Sequence, residues 1–142
     1  MQKFLIPNTD CVISRFCLGT GGFGTSIKND QIDNLITAFI EAGGNFFDTA
    51  HCYAFWKPNG LGASERELAA SLRRIGAWGN TIIATKGGHP DGGENYPRPP
   101  DFLSESIINS DIDDSLNRLQ ANCIDIFYLH RDDGVTPVSN II

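Results

Sequence analysis

Thr81-Ile82-Ile83-Ala84-Thr85-Lys86 is rich in β-branched residues, nearly continuous in apolar character, and ends on a lysine. A strand with one wet face alternates apolar and polar residues, whereas a strand covered on both faces, as in a parallel sheet, does not. The segment therefore predicts a parallel strand, and parallel strands are joined by crossovers that are usually helices.

Moving toward the amino terminus, Ser64 and Glu67 have the S-x-x-E spacing of a capping box, predicting a helix whose Leu68, Leu72 and Ile75 share a face before Gly76 and Gly79 end it. Before it lies Asn45-Phe46-Phe47-Asp48, too short for a helix and read as a strand. Ile32, Leu35, Ile36, Phe39 and Ile40 recur at the spacing of one helical face and are stopped by Gly43-Gly44. Phe16-Cys17-Leu18 reads as a short strand running into the turn Gly19-Thr20-Gly21-Gly22-Phe23-Gly24. At the front end, Lys3 to Ile13 places a Pro-Asn-Thr-Asp turn between two apolar stretches, which predicts a small β-hairpin.

Toward the carboxyl terminus, Gly87 to Pro100 is too dense in Gly and Pro for regular structure and predicts a long surface loop. Ser104 is placed to N-cap a helix carrying Ile108, Ile112, Leu116 and Leu119, and Ile124 to His130 forms the next strand. Val138 to Ile142 is expected to enter a further helix. The order βαβαβαβ is α/β with a parallel sheet, either an open doubly wound sheet or a closed (β/α)8 barrel, and periodicity does not choose between them. In both, functional residues sit beyond the carboxyl ends of the strands. The glycine run, Asp48, Lys86 and His130 occupy those four places.

The bulk numbers fit a folded chain with a core. The 142 residues, read as one domain spanning 1–142, are 41% hydrophobic and 20% charged with both signs mixed. A net charge of -6 without a Lys/Arg cluster argues against nucleic acid as a partner. No apolar run approaches a membrane helix and Met1 to Asp10 is too short for a secretory signal, so a cytoplasmic location is expected. Cys11, Cys17, Cys52 and Cys123 form no C-x-x-C pair, and no zinc-ligand spacing is present, so free thiols and no metal are expected.

Gly19, Gly21 and Gly24 spell G-x-G-x-x-G, and Asp48 lies about where a ribose-binding acid would in a Rossmann unit. There the helix begins at the turn, whereas here Thr25 to Asp30 separates Gly24 from the first periodic apolar position. The segments from Asp48 onward are more specific. Asp48-Thr49-Ala50-His51-Cys52-Tyr53, Ser64-Glu65, Ala84-Thr85-Lys86 and Tyr128-Leu129-His130-Arg131-Asp132-Asp133 occur in order, together with the glycine run, Ser115-Leu116-Asn117-Arg118-Leu119 and Thr136-Pro137. Over essentially its whole length the chain thus resembles the amino-terminal half of an aldo-keto reductase.

The resemblance implies a (β/α)8 TIM barrel, of which this chain holds four strands and three helices. It also implies a nicotinamide cofactor, NADPH or NADH, reducing a small-molecule aldehyde or ketone to an alcohol. The implied catalytic tetrad is Asp48, Tyr53, Lys86 and His130, and Gly19, Thr20, Gly21 and Asp48 are the implied cofactor contacts. The chemistry suits these residue types. Hydride transfer builds negative charge on a carbonyl oxygen, which needs a proton donor and electrostatic support. Tyr53 is the acid/base, Lys86 the cation that favours its phenolate, Asp48 the carboxylate that places Lys86, and His130 a neutral hydrogen-bond donor that orients the carbonyl.

Phe23, Phe55, Trp56 and Arg131 are candidate substrate-pocket residues, His51 and Cys52 are expected to be bystanders, and His89 a solvated loop histidine. A (β/α)8 barrel needs about 250 residues. The 142-residue chain alone is therefore expected to be an incomplete, inactive half-barrel that self-associates through open edges. The alternative reading is a non-catalytic nucleotide-binding or regulatory subunit on the same scaffold.

Overall fold

The structure, a computed structural model, describes residues 1–141. An antiparallel hairpin of β1 (Lys3–Leu5) and β2 (Val12–Ser14) precedes a four-stranded parallel sheet in the order β3 (Leu18–Gly19), β4 (Phe46–Asp48), β5 (Ile82–Gly87) and β6 (Ile126–Leu129). The helices α1 (Asp30–Glu41), α2 (Ala63–Arg74) and α3 (Glu105–Leu119) are the three crossovers between consecutive strands. The hairpin, helices and strands stand close to where the sequence predicts them. The first and last sheet strands are shorter than expected.

All three helices lie on one face of the sheet. Phe47 and Ile83 point toward α1 and α2 and pack with Phe23, Ile32, Ile36, Leu68, Leu72 and Leu119 in one buried cluster. Phe127 and Leu129 point the same way and pack with Ile108 and Ile112 of α3. Successive strand side chains alternate between faces. Phe46, Asp48, Ala84, Lys86 and Tyr128 therefore share the opposite face, where Tyr128 is 44% exposed. A doubly wound sheet would carry helices on both faces and would reverse its strand order. Sequential order with one-sided cover is the geometry of a barrel wall. Among the described residues, β3 and β6 each pair with a single neighbour, so both edges of the sheet are open.

Some local expectations are corrected. Ser64 is not the cap of α2: the helix begins two residues earlier than that cap would place it, with Gly62 at the N-cap in the left-handed region at φ +71°. A Cβ on Gly62 would lie 2.5 Å from Cδ and Nε of Arg118, so the turn needs both the conformation and the smallness of glycine. Ser64, fully buried, instead donates to the Thr20 carbonyl at 2.8 Å and lies within hydrogen-bonding distance of the Thr20 and Thr49 hydroxyls. Ser104 does occupy the N-cap of α3, without a side-chain capping bond. Leu35 is exposed on α1. Val138–Asn140 form a 3-10 turn where entry into a further helix is expected, and Ile142, the end of that segment, lies outside the described residues.

The hairpin is held at the amino ends of the strands. Asn45, just before β4, accepts from Ser14 N at 2.7 Å and donates to the Val12 carbonyl at 2.8 Å. It thus covers the end of the sheet opposite the four chemistry-bearing strand termini.

Phe47 has no exposed surface and meets Phe39 edge-on at 5.3 Å. Phe47→Ala is expected to cost about 3–5 kcal/mol, a large share of ordinary domain stability. Urea unfolding followed by circular dichroism checks this; a loss below about 1 kcal/mol would place Phe47 outside the core.

Candidate active site

Parallel pairing sets the site. Asp48 pairs in register with Ala84, and Lys86 with Tyr128, so the lysine reaches back along the inner face to the end of β4. Its ammonium donates to Asp48 Oδ2 at 2.6 Å, to the Thr49 carbonyl at 2.6 Å and to the Tyr53 hydroxyl at 3.1 Å. Three protons meet three acceptors. Because the Tyr53 oxygen accepts from Lys86, its own proton is left to be donated elsewhere. The Lys86 and Asp48 side chains are 16% and 27% exposed, so the pair is neither sealed in the core nor freely solvated.

His130, one residue past β6, stands edge-on to Tyr53, with ring centroids 5.9 Å apart. Its backbone N–H continues the ladder by donating to Gly87 O at 2.7 Å. Burial, reinforced by the neighbouring His89 ring and the positive charges of Lys86 and Arg131, pulls its pKa down to about 4, so the imidazole is neutral at physiological pH. His130 Nδ1 lies 3.4 Å from Cys52 Sγ.

Tyr53 rides on a loop that a buried polar network clamps. His51, 2% exposed, has Nδ1 2.9 Å from the Tyr96 hydroxyl and Nε2 3.1 Å from Asp114 Oδ2. Arg118 donates to the His51 carbonyl at 2.8 Å and to Glu65 at 3.2 Å, and the Thr85 hydroxyl donates to Glu65 at 2.7 Å. Asp111, fully buried, accepts from Arg98 at 2.6 Å and from Gly88 N at 2.9 Å. Ala54, buried directly after Tyr53, is held at φ +75°, a region that alanine rarely adopts and that persists only where surroundings impose it. His51 is thus an anchor of the loop and not a bystander. His spacing alone did not mark it; its partners come from α3 and the Gly/Pro loop.

The aldo/keto reductase family model matches residues 15–142. The chain belongs to the aldo/keto reductase family. It is 36% identical over 122 residues to the aldo-keto reductase str7 of Strobilurus tenacellus, covering 85% of this chain and 32% of that protein. It is 28% identical over 130 residues to aldo-keto reductase yakc [NADP(+)] of Schizosaccharomyces pombe, covering 89% of this chain and 35% of that one. The solved aldo-keto reductase AKR11C1 from Bacillus halodurans, holo form, superposes with a TM-score of 0.79 at 26% identity, covering all of this chain and 44% of that one. The chain spans about a third of the length of these two curated relatives, and its sheet is half of a (β/α)8 barrel.

Within this aldo/keto reductase half-barrel, two expected site residues are elsewhere. Phe23 has no exposed surface and belongs to the core cluster under α1 and α2, not to a substrate pocket, because the glycine turn folds its ring inward. Thr20 is equally buried; its backbone and hydroxyl both bond the Asp48 carbonyl and its own carbonyl takes Ser64, leaving nothing for a cofactor. Gly19 and Gly21 do face the site: a Cβ on Gly19 would meet no atom within 4 Å, and one on Gly21 would lie 3.8 Å from the Tyr53 ring. Trp56 lies beside Tyr53, its ring 6.4 Å away and 47% exposed, and Phe55 meets Trp56 edge-on at 5.6 Å. Arg131 lines a cavity of about 240 Å³ beside His130. His89 is not a solvated loop histidine: it is half-buried against Phe55 and Tyr96, 4.8 Å from His130 between ring centroids.

Burial depresses the pKa of His51 as well as that of His130. The unfolded chain then binds more protons, so this stability is complete above the unfolded value near ~6.5 and drains away as pH falls toward the folded values. An NMR titration should place the His130 midpoint near 4, and the thermal midpoint should decline from pH 6.5 downward. A His130 midpoint at 6.5 would show the ring to be solvated.

Proposed function

We propose that the protein is an oxidoreductase that uses NADPH to reduce a small aldehyde or ketone, with Tyr53 as proton donor. The observation that carries this reading is the Lys86 ammonium bonded at once to Asp48 and to the Tyr53 hydroxyl, with neutral His130 edge-on beside it. A buried salt bridge serving stability alone would not need its cation to reach a half-exposed phenol.

A bound nicotinamide would supply the hydride. The residues that fit it are those of its reactive end: the open space over Gly19, the flat approach at Gly21, and Asp48 at the strand terminus. Tyr53 donates its proton to the carbonyl oxygen as negative charge develops there, and Lys86 stabilises the phenolate that remains. Asp48 and the Thr49 carbonyl hold the ammonium against the phenol. His130, carrying its proton on the nitrogen turned away from Cys52, hydrogen-bonds the same carbonyl oxygen and sets its angle of approach. Phe55, Trp56 and Arg131 border the space in which the rest of the substrate would lie. The NADP(+) in the name of the Schizosaccharomyces pombe relative favours NADPH over NADH.

Tyr53→Phe in the full-length protein should lower kcat for carbonyl reduction by about 10²–10⁴-fold with little change in cofactor affinity, since it deletes a proton donor and almost no surface. Stopped-flow turnover and fluorescence titration measure the two separately. Retention of most of the wild-type kcat would remove Tyr53 from the acid role.

The 142-residue polypeptide by itself, on this reading, neither binds NADPH tightly nor stays monomeric, because both sheet edges and the inner face stand open. Light scattering should report dimers or larger species. A monodisperse monomer with a cooperative thermal transition would show that four strands and three helices bury their own core.

A further inference from the structure

We infer that Cys52, His89 and His130 form a binding site for a thiophilic divalent cation, with zinc as its occupant. One sulfur and two imidazole nitrogens lie within 4.8 Å of one another, in the one group of this kind among the described residues. Cys52 is 2% exposed and both histidines are half-buried.

The geometry is close to what coordination demands. Tetrahedral zinc, with Zn–S of about 2.3 Å and Zn–N of about 2.0–2.1 Å, separates its sulfur and nitrogen ligands by roughly 3.5 Å. Cys52 Sγ and His130 Nδ1 are already 3.4 Å apart. The His89 and His130 rings are nearly perpendicular, at 86°. His89 Nδ1–H donates to the Pro90 carbonyl at 2.8 Å, which orients the ring and leaves Nε2 with the free lone pair. A metal-binding histidine ordinarily has this kind of outer hydrogen bond.

The three ligands come from the ends of three strands on backbone that is separately pinned. The Cys52 loop is held through His51 and Arg118, Gly88 beside His89 by Asp111, and His130 by the Gly87 carbonyl. A site carried on anchored segments holds its donor atoms in place. A thiolate with two imidazoles selects zinc over magnesium or calcium, which prefer oxygen. Binding exchanges the Cys52 thiol proton for the metal and leaves a fourth position for water. Lys86 and Arg131 oppose a cation here, whereas Asp111 and Glu65 favour it.

Coordination takes the nitrogen of His130 that faces Cys52 and leaves the N–H on the other, but it fixes the ring and draws electrons from it, so occupancy and turnover are coupled. That consequence rests on the reductase reading, whereas the binding site does not. Binding is therefore measured directly, on reduced, metal-stripped full-length protein titrated with Zn²⁺ against a chromophoric chelator and with Co²⁺ as spectroscopic probe. The expected result is one metal per chain, a thiolate-to-cobalt charge-transfer band, and affinity at least about tenfold weaker in Cys52→Ala and in His89→Ala but unchanged in Cys17→Ser and Cys123→Ser. X-ray absorption on the zinc-loaded wild type, which requires no variant to fold, should show one sulfur and two imidazole ligands. Unchanged affinity in a folded Cys52→Ala or His89→Ala, a cobalt spectrum without the thiolate band, or a zinc shell lacking sulfur would overturn the assignment.

Discussion

Covering a parallel sheet with helices on one face only is the constraint that organises everything else in this molecule. The outward side chains, Phe47 and Ile83 foremost, bury against α1 and α2. The inward ones are therefore free to be something other than core. Asp48, Lys86 and Tyr128 sit on that inner face, and in a doubly wound sheet each would have needed a helix packed over it. Charged groups buried under a helix would have to recover a large desolvation cost. On an open inner face the same Asp–Lys pair remains partly hydrated and can reach a phenol.

The second requirement is a fixed loop. Tyr53 is useful to Lys86 only if the segment after β4 returns its hydroxyl to hydrogen-bonding distance, and no regular structure enforces that return. The enforcement comes from buried polar groups. Glu65, without exposed surface, is matched by Arg118 and the Thr85 hydroxyl, and Arg118 in turn holds the His51 carbonyl. His51 ties the loop to Tyr96 and Asp114. Because each charge in this network has a partner, burying it orders the loop without leaving an orphaned ion. The same pinned loop carries Cys52 to His130, so the proposed catalytic geometry and the proposed metal site have a common mechanical origin.

Belonging to the aldo/keto reductase family gives the strand-end residues a common setting, and the half-barrel explains why they converge. Parallel strands in sequential order bring their carboxyl ends to one rim. Residues separated by most of the chain, from Gly19 to His130, then share one neighbourhood. The hairpin, tied to Asn45, occupies the other end and leaves this rim open.

The sequence by itself determined the alternation of strands and helices, the buried face of each helix, and the residues at the strand termini. These are set by local rules: period-3.6 and short apolar patterns, with polar chemistry where a strand stops. Asp48, Tyr53, Lys86 and His130 were legible for that reason, helped by a resemblance across ordered motifs. Only the tertiary structure decided on which side the helices lie, because apolar strands look alike whether covered by helices or by the far wall of a barrel. It turned Phe23 inward and used up Thr20 and Ser64 in bonds across the strand ends, since a hydroxyl's partners depend on what folds beside it. It also brought His89 and Cys52 to His130, which no spacing along the chain could reveal, because their proximity is produced by the pairing of β5 with β4 and β6 and by the loops those strands carry.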